Sequence, residues 1–155
     1  MHPNAALIDT FYGAFRRRDP AAMVACYGPG IRFQDPVFTL EGPRVAAMWQ
    51  MLCERGKDLR VEWADVRADD SAGSATWEAW YTFSATRRPV HNRIRASFVF
   101  DGGRIVQHAD RFDLYRWARQ ALGLPGVLFG WSPPMQQAIR RNAARALDAF
   151  VASHG

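Results

Sequence analysis

His108 and Asp110 stand two residues apart in the segment Gly103–Leu114. An imidazole and a carboxylate at that spacing can share a proton and exchange it with a bound molecule, which is general acid–base chemistry. Side chains of an extended chain alternate between faces with a period of two. Val106, His108, Asp110, Phe112 and Leu114 therefore share one face, and Ile105, Gln107, Ala109, Arg111 and Asp113 the other. The first face carries three apolar residues, so it turns inward and takes the polar pair with it. Burying a carboxylate is costly unless it is paired or hydrogen-bonded, so Asp110 needs either a structural partner or a chemical purpose. Asp113, on the opposite face, is expected to make a surface or interface contact. Asp35, directly before Pro36, is a second acid for the same site, or else it ends a strand and caps the following turn. Two carboxylates and one His can form an iron site, but their spacing does not single one out, and no metal is expected.

The elements that must position these groups follow from hydrophobic periodicity. Leu7, Ile8, Phe11, Tyr12 and Phe15 mark an amphipathic helix from Ala5 to Arg18. Asp19 and Pro20 are the N-cap and first residue of a second helix, which runs through Met23, Val24 and Tyr27 to Gly28-Pro29-Gly30. A short strand from Ile31 to Gln34 ends at Asp35-Pro36, and a third helix after Gly42-Pro43 carries Val45, Met48, Trp49 and Leu52. Four longer strands follow at about Leu59–Ala68, Ser74–Thr86, Val90–Asp101 and Arg104–Leu114, separated by turn residues. Helices followed by such a meander give an α+β fold with the helices packed on one concave sheet. Tyr115–Leu122 and Met135–Ala152 read as helices, with Val127–Trp131 an apolar loop between them. The expected organisation is one domain over 1–155, with a core of about 5–115 and a helical extension over 116–155.

Composition narrows the function. The 155 residues are 48% hydrophobic and 13% aromatic, with six Trp and ten Phe, enough to line a cavity as well as fill a core. The net charge of +5 is concentrated at the end: residues 116–155 hold five Arg against one Asp. The usual pattern makes that a solvated helix face, and without a nucleic-acid motif no nucleic-acid partner is expected. No apolar run reaches the roughly 18 residues of a membrane span, no signal-peptide pattern opens the chain, and Cys26 and Cys53 lack metal spacing. A cytoplasmic protein with reduced thiols and no membrane partner is the expectation.

Three segments occur in an order that resembles a known superfamily: a first helix ending in Arg18-Asp19-Pro20, then Arg32-Phe33-Gln34-Asp35-Pro36, then His108-Ala109-Asp110-Arg111-Phe112-Asp113. Over about residues 5–115 the chain resembles the nuclear transport factor two-like superfamily, which includes ketosteroid isomerases, SnoaL-like polyketide cyclases and limonene-epoxide hydrolases. Arg119-Gln120-Ala121-Leu122-Gly123 is similar to the SnoaL-like group. The resemblance implies a cone-shaped, strongly curved, mostly antiparallel sheet with three N-terminal helices on its concave face. It also implies homodimers and chemistry without metals or cofactors. Asp35 matches the isomerases' catalytic base, but Phe11 and Ala96 occupy the positions of their two oxyanion donors. Losing even one such donor typically costs ~10²–10³ in rate. Asp110 matches one catalytic aspartate of the epoxide hydrolases, yet Glu78 and Trp80 fall where those enzymes carry an Arg and a second Asp. The SnoaL-like pattern, one Asp on the final strand as acid–base, fits best.

The resulting expectation is a hydrophobic pocket with Asp110, His108 and Asp35 as catalytic groups. Phe11, Phe15, Tyr27, Phe33, Trp49, Leu52, Trp63, Glu78, Trp80, Ala96 and Phe98 are the expected substrate-binding wall. Glu78 has a second reading as a surface partner of Arg93 or Arg95. The expected reaction is isomerisation, cyclisation or dehydration of a hydrophobic carbonyl compound. The alternatives are a hydrophobic-ligand-binding protein without catalysis and a dimeric interaction domain of the same fold.

Overall fold

A computed structural model describes residues 1–154; Gly155, the end of the expected extension, lies outside the described residues. Three helices and a short hairpin precede the long strands: α1 (Pro3–Arg16), α2 (Pro20–Val24), β1 (Tyr27–Gln34), β2 (Thr39–Glu41) and α3 (Pro43–Arg55). Proline in the first turn starts each helix where its missing N–H costs nothing. Asp19 caps α2 as expected, its carboxylate accepting the Ala22 N–H at 3.1 Å. The meander follows as β3 (Arg60–Ala68), β4 (Ala72–Phe83), β5 (Arg88–Asp101) and β6 (Arg104–Arg111), and then α4 (Leu114–Leu122), α5 (Leu124–Phe129) and α6 (Pro133–His154).

The six strands form one open, curved sheet in the order β2-β1-β6-β5-β4-β3, antiparallel throughout except where β1 runs parallel to β6. Irregular registers at Tyr27–Arg32, Ala64–Arg67 and Val99–Phe100 bend it, since an extra residue on one strand locally increases twist. The bulge in β6 falls at Val106, because Phe100 pairs with Ile105 while Val99 pairs with Gln107. Ile105 and His108 consequently both point inward and are fully buried, which corrects the simple alternation that put Ile105 outside.

Three other expectations change. The second helix stops at Val24, and Tyr27 opens β1 instead, with Gly28-Pro29-Gly30 absorbed into its irregular pairing. The last strand stops at Arg111; Asp113 is the N-cap of α4, accepting the Arg116 N–H at 3.0 Å. Val127–Trp131 is no plain loop, since its first three residues belong to α5.

α5 seats on α4 because its contact positions are glycines. A Cβ on Gly126 would lie 2.0 Å from the Ala118 carbonyl oxygen, and one on Gly130 would lie 2.8 Å from the Ala118 methyl. Gly123, with φ 70°, makes the sharp turn that folds α5 back. α6 then crosses to α3, buries Leu147 and Phe150, and is tied down by Arg44–Asp148 at 2.7 Å and by Arg140 Nε donating to the Pro36 carbonyl at 2.9 Å. Gly126→Ala should lower stability by about 1–3 kcal/mol, the usual cost of overpacking a close contact. The urea midpoint should fall without a change in slope; an unmoved midpoint would mean that α5 does not rest on Ala118.

Candidate functional site

Four elements converge on a buried hydrogen-bonded chain. Trp49 of α3 donates its indole N–H to the Tyr27 hydroxyl at 2.9 Å, and Tyr27 Oη lies 2.8 Å from His108 Nδ1. On the other side of the ring, His108 Nε2 lies 3.0 Å from Asp110 Oδ1, which also accepts the Trp77 indole N–H from β4 at 3.4 Å. Burial pushes the Tyr27 phenol well above its ordinary pKa, so Tyr27 keeps its proton. Having accepted from Trp49, it gives that proton to Nδ1. The imidazole therefore carries its own proton on Nε2 and donates it to Asp110, an assignment set by the hydrogen-bond sequence.

His108 is only 1% exposed. Phe11, Phe33 and Phe98 surround its ring at centroid distances of 5.4, 5.1 and 4.5 Å, and Trp49 stacks over it at 6.1 Å. His108 thus stands behind Asp110, inside the aromatic packing, and not on a cavity wall. Asp110 occupies the boundary. Its Oδ1 is held by two N–H donors, while Oδ2 has no hydrogen-bond partner among the described residues and is reached from the cavity in front of it.

That cavity has a volume of about 450 Å³, within the usual range of about 300–1,000 Å³ for small-molecule sites. Asp35 lies one strand away from Asp110: the parallel register Phe33–His108 and Gln34–Ala109 brings it to the same level just past the end of the ladder. Adjacent strands are ~4.8 Å apart, so two carboxylates face one largely apolar space. Asp35 Oδ1 accepts the backbone N–H groups of Val37 and Phe38 at 2.7 and 2.6 Å, a turn that turns the acid back toward the cavity. Burial raises its pKa to about 6, outweighing those two hydrogen bonds, and the charge of Asp110 adds to the rise. The expected turn-capping role and the expected cavity position of Asp35 are therefore both present.

Asp110 pairs with Ala96, and Ala96 with Ala75; Tyr81 lies six residues further along β4 on the same parity, and the curved sheet leaves it near enough to Asp35 for that charge, after burial, to raise its pKa. The Tyr81 hydroxyl accepts the Trp117 indole N–H from α4 at 2.8 Å, leaving its own proton available. Asn92 of β5 and Met135, Ile139 and Ala143 of α6 line the cavity as well. The helical extension is thus part of the wall.

Of the expected wall, Phe15, Phe33, Trp49 and Leu52 do line the cavity, together with Asp35 and Asp110. Phe11, Tyr27, Ala96 and Phe98 pack around His108 or within the core behind it. Trp63 is a correction: it packs beside α1, donating to Asp9 at 2.9 Å with Arg16 over its ring. Glu78 and Trp80 are corrections too, on the outer face of β4. Glu78 Oε2 meets His91 Nε2 at 2.5 Å and Arg93 Nε at 3.9 Å, and Trp80 is sandwiched between His91 and Arg60. Both parities of β4 carry aromatics, Trp77 and Tyr81 on one and Trp80 on the other, so apolar alternation did not identify the inward face. The polar parity, Ser74, Thr76, Glu78 and Thr82, was the usable signal. Trp77 and Tyr81 were missed for this reason and Trp117 because it belongs to the extension, whereas Asn92 shares the parity of Ala96 and Phe98 on β5 and was legible there. Among the described residues no cluster of three or more His, Cys, Asp or Glu side chains is placed to hold a metal.

Comparison with known proteins agrees with this architecture. The solved structures that the chain is similar to include an NTF2-like protein of unknown function from Burkholderia pseudomallei, with a TM-score of 0.64 and 21% identity over 73% of this chain and 92% of that one. A protein provisionally described as a polyketide cyclase, from Pseudomonas putida, gives 0.64 and 22% over 78% and 98%. An LEH-like epoxide hydrolase from M. tuberculosis gives 0.63 and 21% over 81% and 95%. At such identities these likenesses establish the fold alone. No curated protein sequence matches the chain significantly. The sequence profile of the SnoaL-like domain matches residues 8–108, and the chain belongs to the SnoaL-like family.

Proposed function

We propose that the protein is a cofactor-independent acid–base enzyme acting on a hydrophobic carbonyl compound. The observation that carries this reading is the free Oδ2 of Asp110 at the apolar cavity, with Oδ1 held by the buried His108 and Trp77. A carboxylate oriented from behind and open in front suits removal of a proton α to a carbonyl. The proton moves to Oδ2 as the electron pair shifts toward the carbonyl oxygen, and its return at another carbon completes an isomerisation. Delivery of the electron pair to a second carbonyl carbon closes a ring instead. Asp35, with its pKa near 6, supplies a proton on the same level of the cavity. His108 acts through Asp110 as a positioning residue, since the aromatic rings keep it from touching a ligand. Tyr81, whose hydroxyl accepts from Trp117 and keeps its own proton, engages a polar group of the ligand in the same cavity.

A second reading, ligand binding without turnover, has its own support: Phe11 and Ala96 leave the deep end without the neutral donors that stabilise an enolate. A homodimer, as is usual for this superfamily, is compatible with either reading.

Asp110→Asn keeps the shape of the side chain and its acceptor toward His108, so the fold should persist. Exchange of α-protons for deuterium in a panel of hydrophobic ketones, followed by NMR, should slow by about 10²-fold or more. Equal exchange by both proteins would remove Asp110 from the chemistry. Ligand binding with no exchange in the native protein would leave the binding-only reading standing.

Asp35 also predicts a pH dependence. Its folded pKa lies above the unfolded value of 3.8, so its favourable contribution is complete below that value and is lost as pH rises through about 6. Asp35→Asn retains an acceptor for the Val37 and Phe38 N–H groups. It should stabilise the protein by ~1–2 kcal/mol at pH 8 and by little at pH 4. Melting curves at the two pH values check this; an equal shift at both would mean that no buried charge is involved.

A further inference from the structure

The twenty residues from Gln120 to Ile139 contain no charge, and Arg119 and Arg140 bound them. Of the nine large hydrophobic residues that the described chain leaves exposed, five fall within eight positions of this stretch: Leu124, Val127, Leu128, Phe129 and Trp131. They are 45–68% exposed. This is a patch, not scatter, and its seat on the small residues of α4 holds it in place.

A second feature adjoins it. Arg88, Arg116 and Arg119 line a surface cleft of about 420 Å³. The Arg88 guanidinium lies against Gly123, where an added Cβ would meet its Cζ at 3.0 Å, and its Nε donates to the Gln120 carbonyl at 2.8 Å. Arg119 stacks over Tyr115 at 4.8 Å, and the Tyr115 hydroxyl donates to the Val127 carbonyl at 2.8 Å. The cleft and α5 are therefore one surface. None of the three guanidiniums forms an ion pair among the described residues.

We propose that α5 and the arginine cleft dock on an anionic phospholipid membrane. Leu128, Phe129 and Trp131 enter the boundary between headgroups and acyl chains, where aromatic and aliphatic side chains of surface-bound helices settle. The guanidiniums take the lipid phosphates, which bind Arg in paired hydrogen bonds. A second copy of the chain fits this surface less well. From Arg116 to Leu147 the chain holds five Arg and no acid, so a self-complementary contact would set like charges against each other, whereas an anionic bilayer neutralises them. Docking there would also place α4, whose Trp117 and Leu122 face the cavity, beside the phase in which hydrophobic compounds concentrate. The inference does not depend on catalysis, because membrane binding is read without turnover.

The test uses the full chain with phosphatidylcholine vesicles, with and without phosphatidylglycerol. Flotation should recover the protein with the anionic vesicles, and tryptophan emission should shift to the blue. Trp131 is 64% exposed and the other five tryptophans are buried or half-buried, so Trp131→Phe should abolish the shift. Leu128→Glu with Phe129→Glu, and separately Arg116→Gln with Arg119→Gln, should each weaken binding by about tenfold or more while leaving the melting temperature unchanged. The proposal is overturned by absence from the anionic vesicles or by equal recovery with neutral ones. It is equally overturned if light scattering shows that Leu128→Glu with Phe129→Glu turns a dimer into a monomer.

Discussion

The buried chain from Trp49 through Tyr27 and His108 to Asp110 is the constraint around which the protein is arranged. An imidazole and a carboxylate cannot be taken out of water without partners, because each unmade hydrogen bond in the interior costs about 1–3 kcal/mol. Every partner here comes from a different part of the sequence: α3 supplies Trp49, β1 supplies Tyr27, and β4 supplies Trp77. The chain can close only when these elements have met, so it checks the assembly of the cone as well as forming the back wall of the site. Polar networks of this kind cost more than they stabilise when incomplete, and they specify one packing when satisfied.

Two properties of the cavity follow. The aromatic jacket around His108 keeps the ring dry and fixed, so of the pair only the open carboxylate oxygen of Asp110 meets the cavity. The same dryness acts on Asp35, where burial prevails over two backbone hydrogen bonds and lifts the pKa to about 6. Two acids at one level of the cavity thereby differ in their surroundings: one is held by N–H donors from behind, the other by a tight turn at the rim. The last forty residues complete the cavity wall. α4 brings Trp117 to Tyr81, and α6 adds Met135, Ile139 and Ala143.

Much of this was legible in the sequence. Period-two and helical patterns marked nearly all the elements, and Asp19 and Pro20 marked a helix start by chemistry that is local. His108 and Asp110 could be paired because they share one strand. Asp35 could be placed because a short strand leads directly into it. The failures have a common cause. Tyr27 was assigned to a helix because Gly28-Pro29-Gly30 looks like a terminator; only the irregular pairing with β6 lets those residues sit in a strand. β4 was read on the wrong parity because its two faces are similarly aromatic, the outer one serving to hold His91 and Arg60. Ile105 was put outside because a bulge at Val106 leaves no mark in an alternating pattern.

The sequence by itself determined the class of fold, the helix starts, and the presence of an acid–imidazole pair on an inward face. These depend on neighbours a few residues apart, whose periodicity and capping chemistry act before any distant contact forms. The tertiary structure decided which of the pair meets the cavity, which ring nitrogen of His108 carries the proton, and that Tyr81 and Trp117 join the cavity wall. Those outcomes depend on strand register and on helix packing between residues 22 to 81 positions apart. At such separations a shift of one residue reverses every side chain on a strand, and no local pattern carries that information.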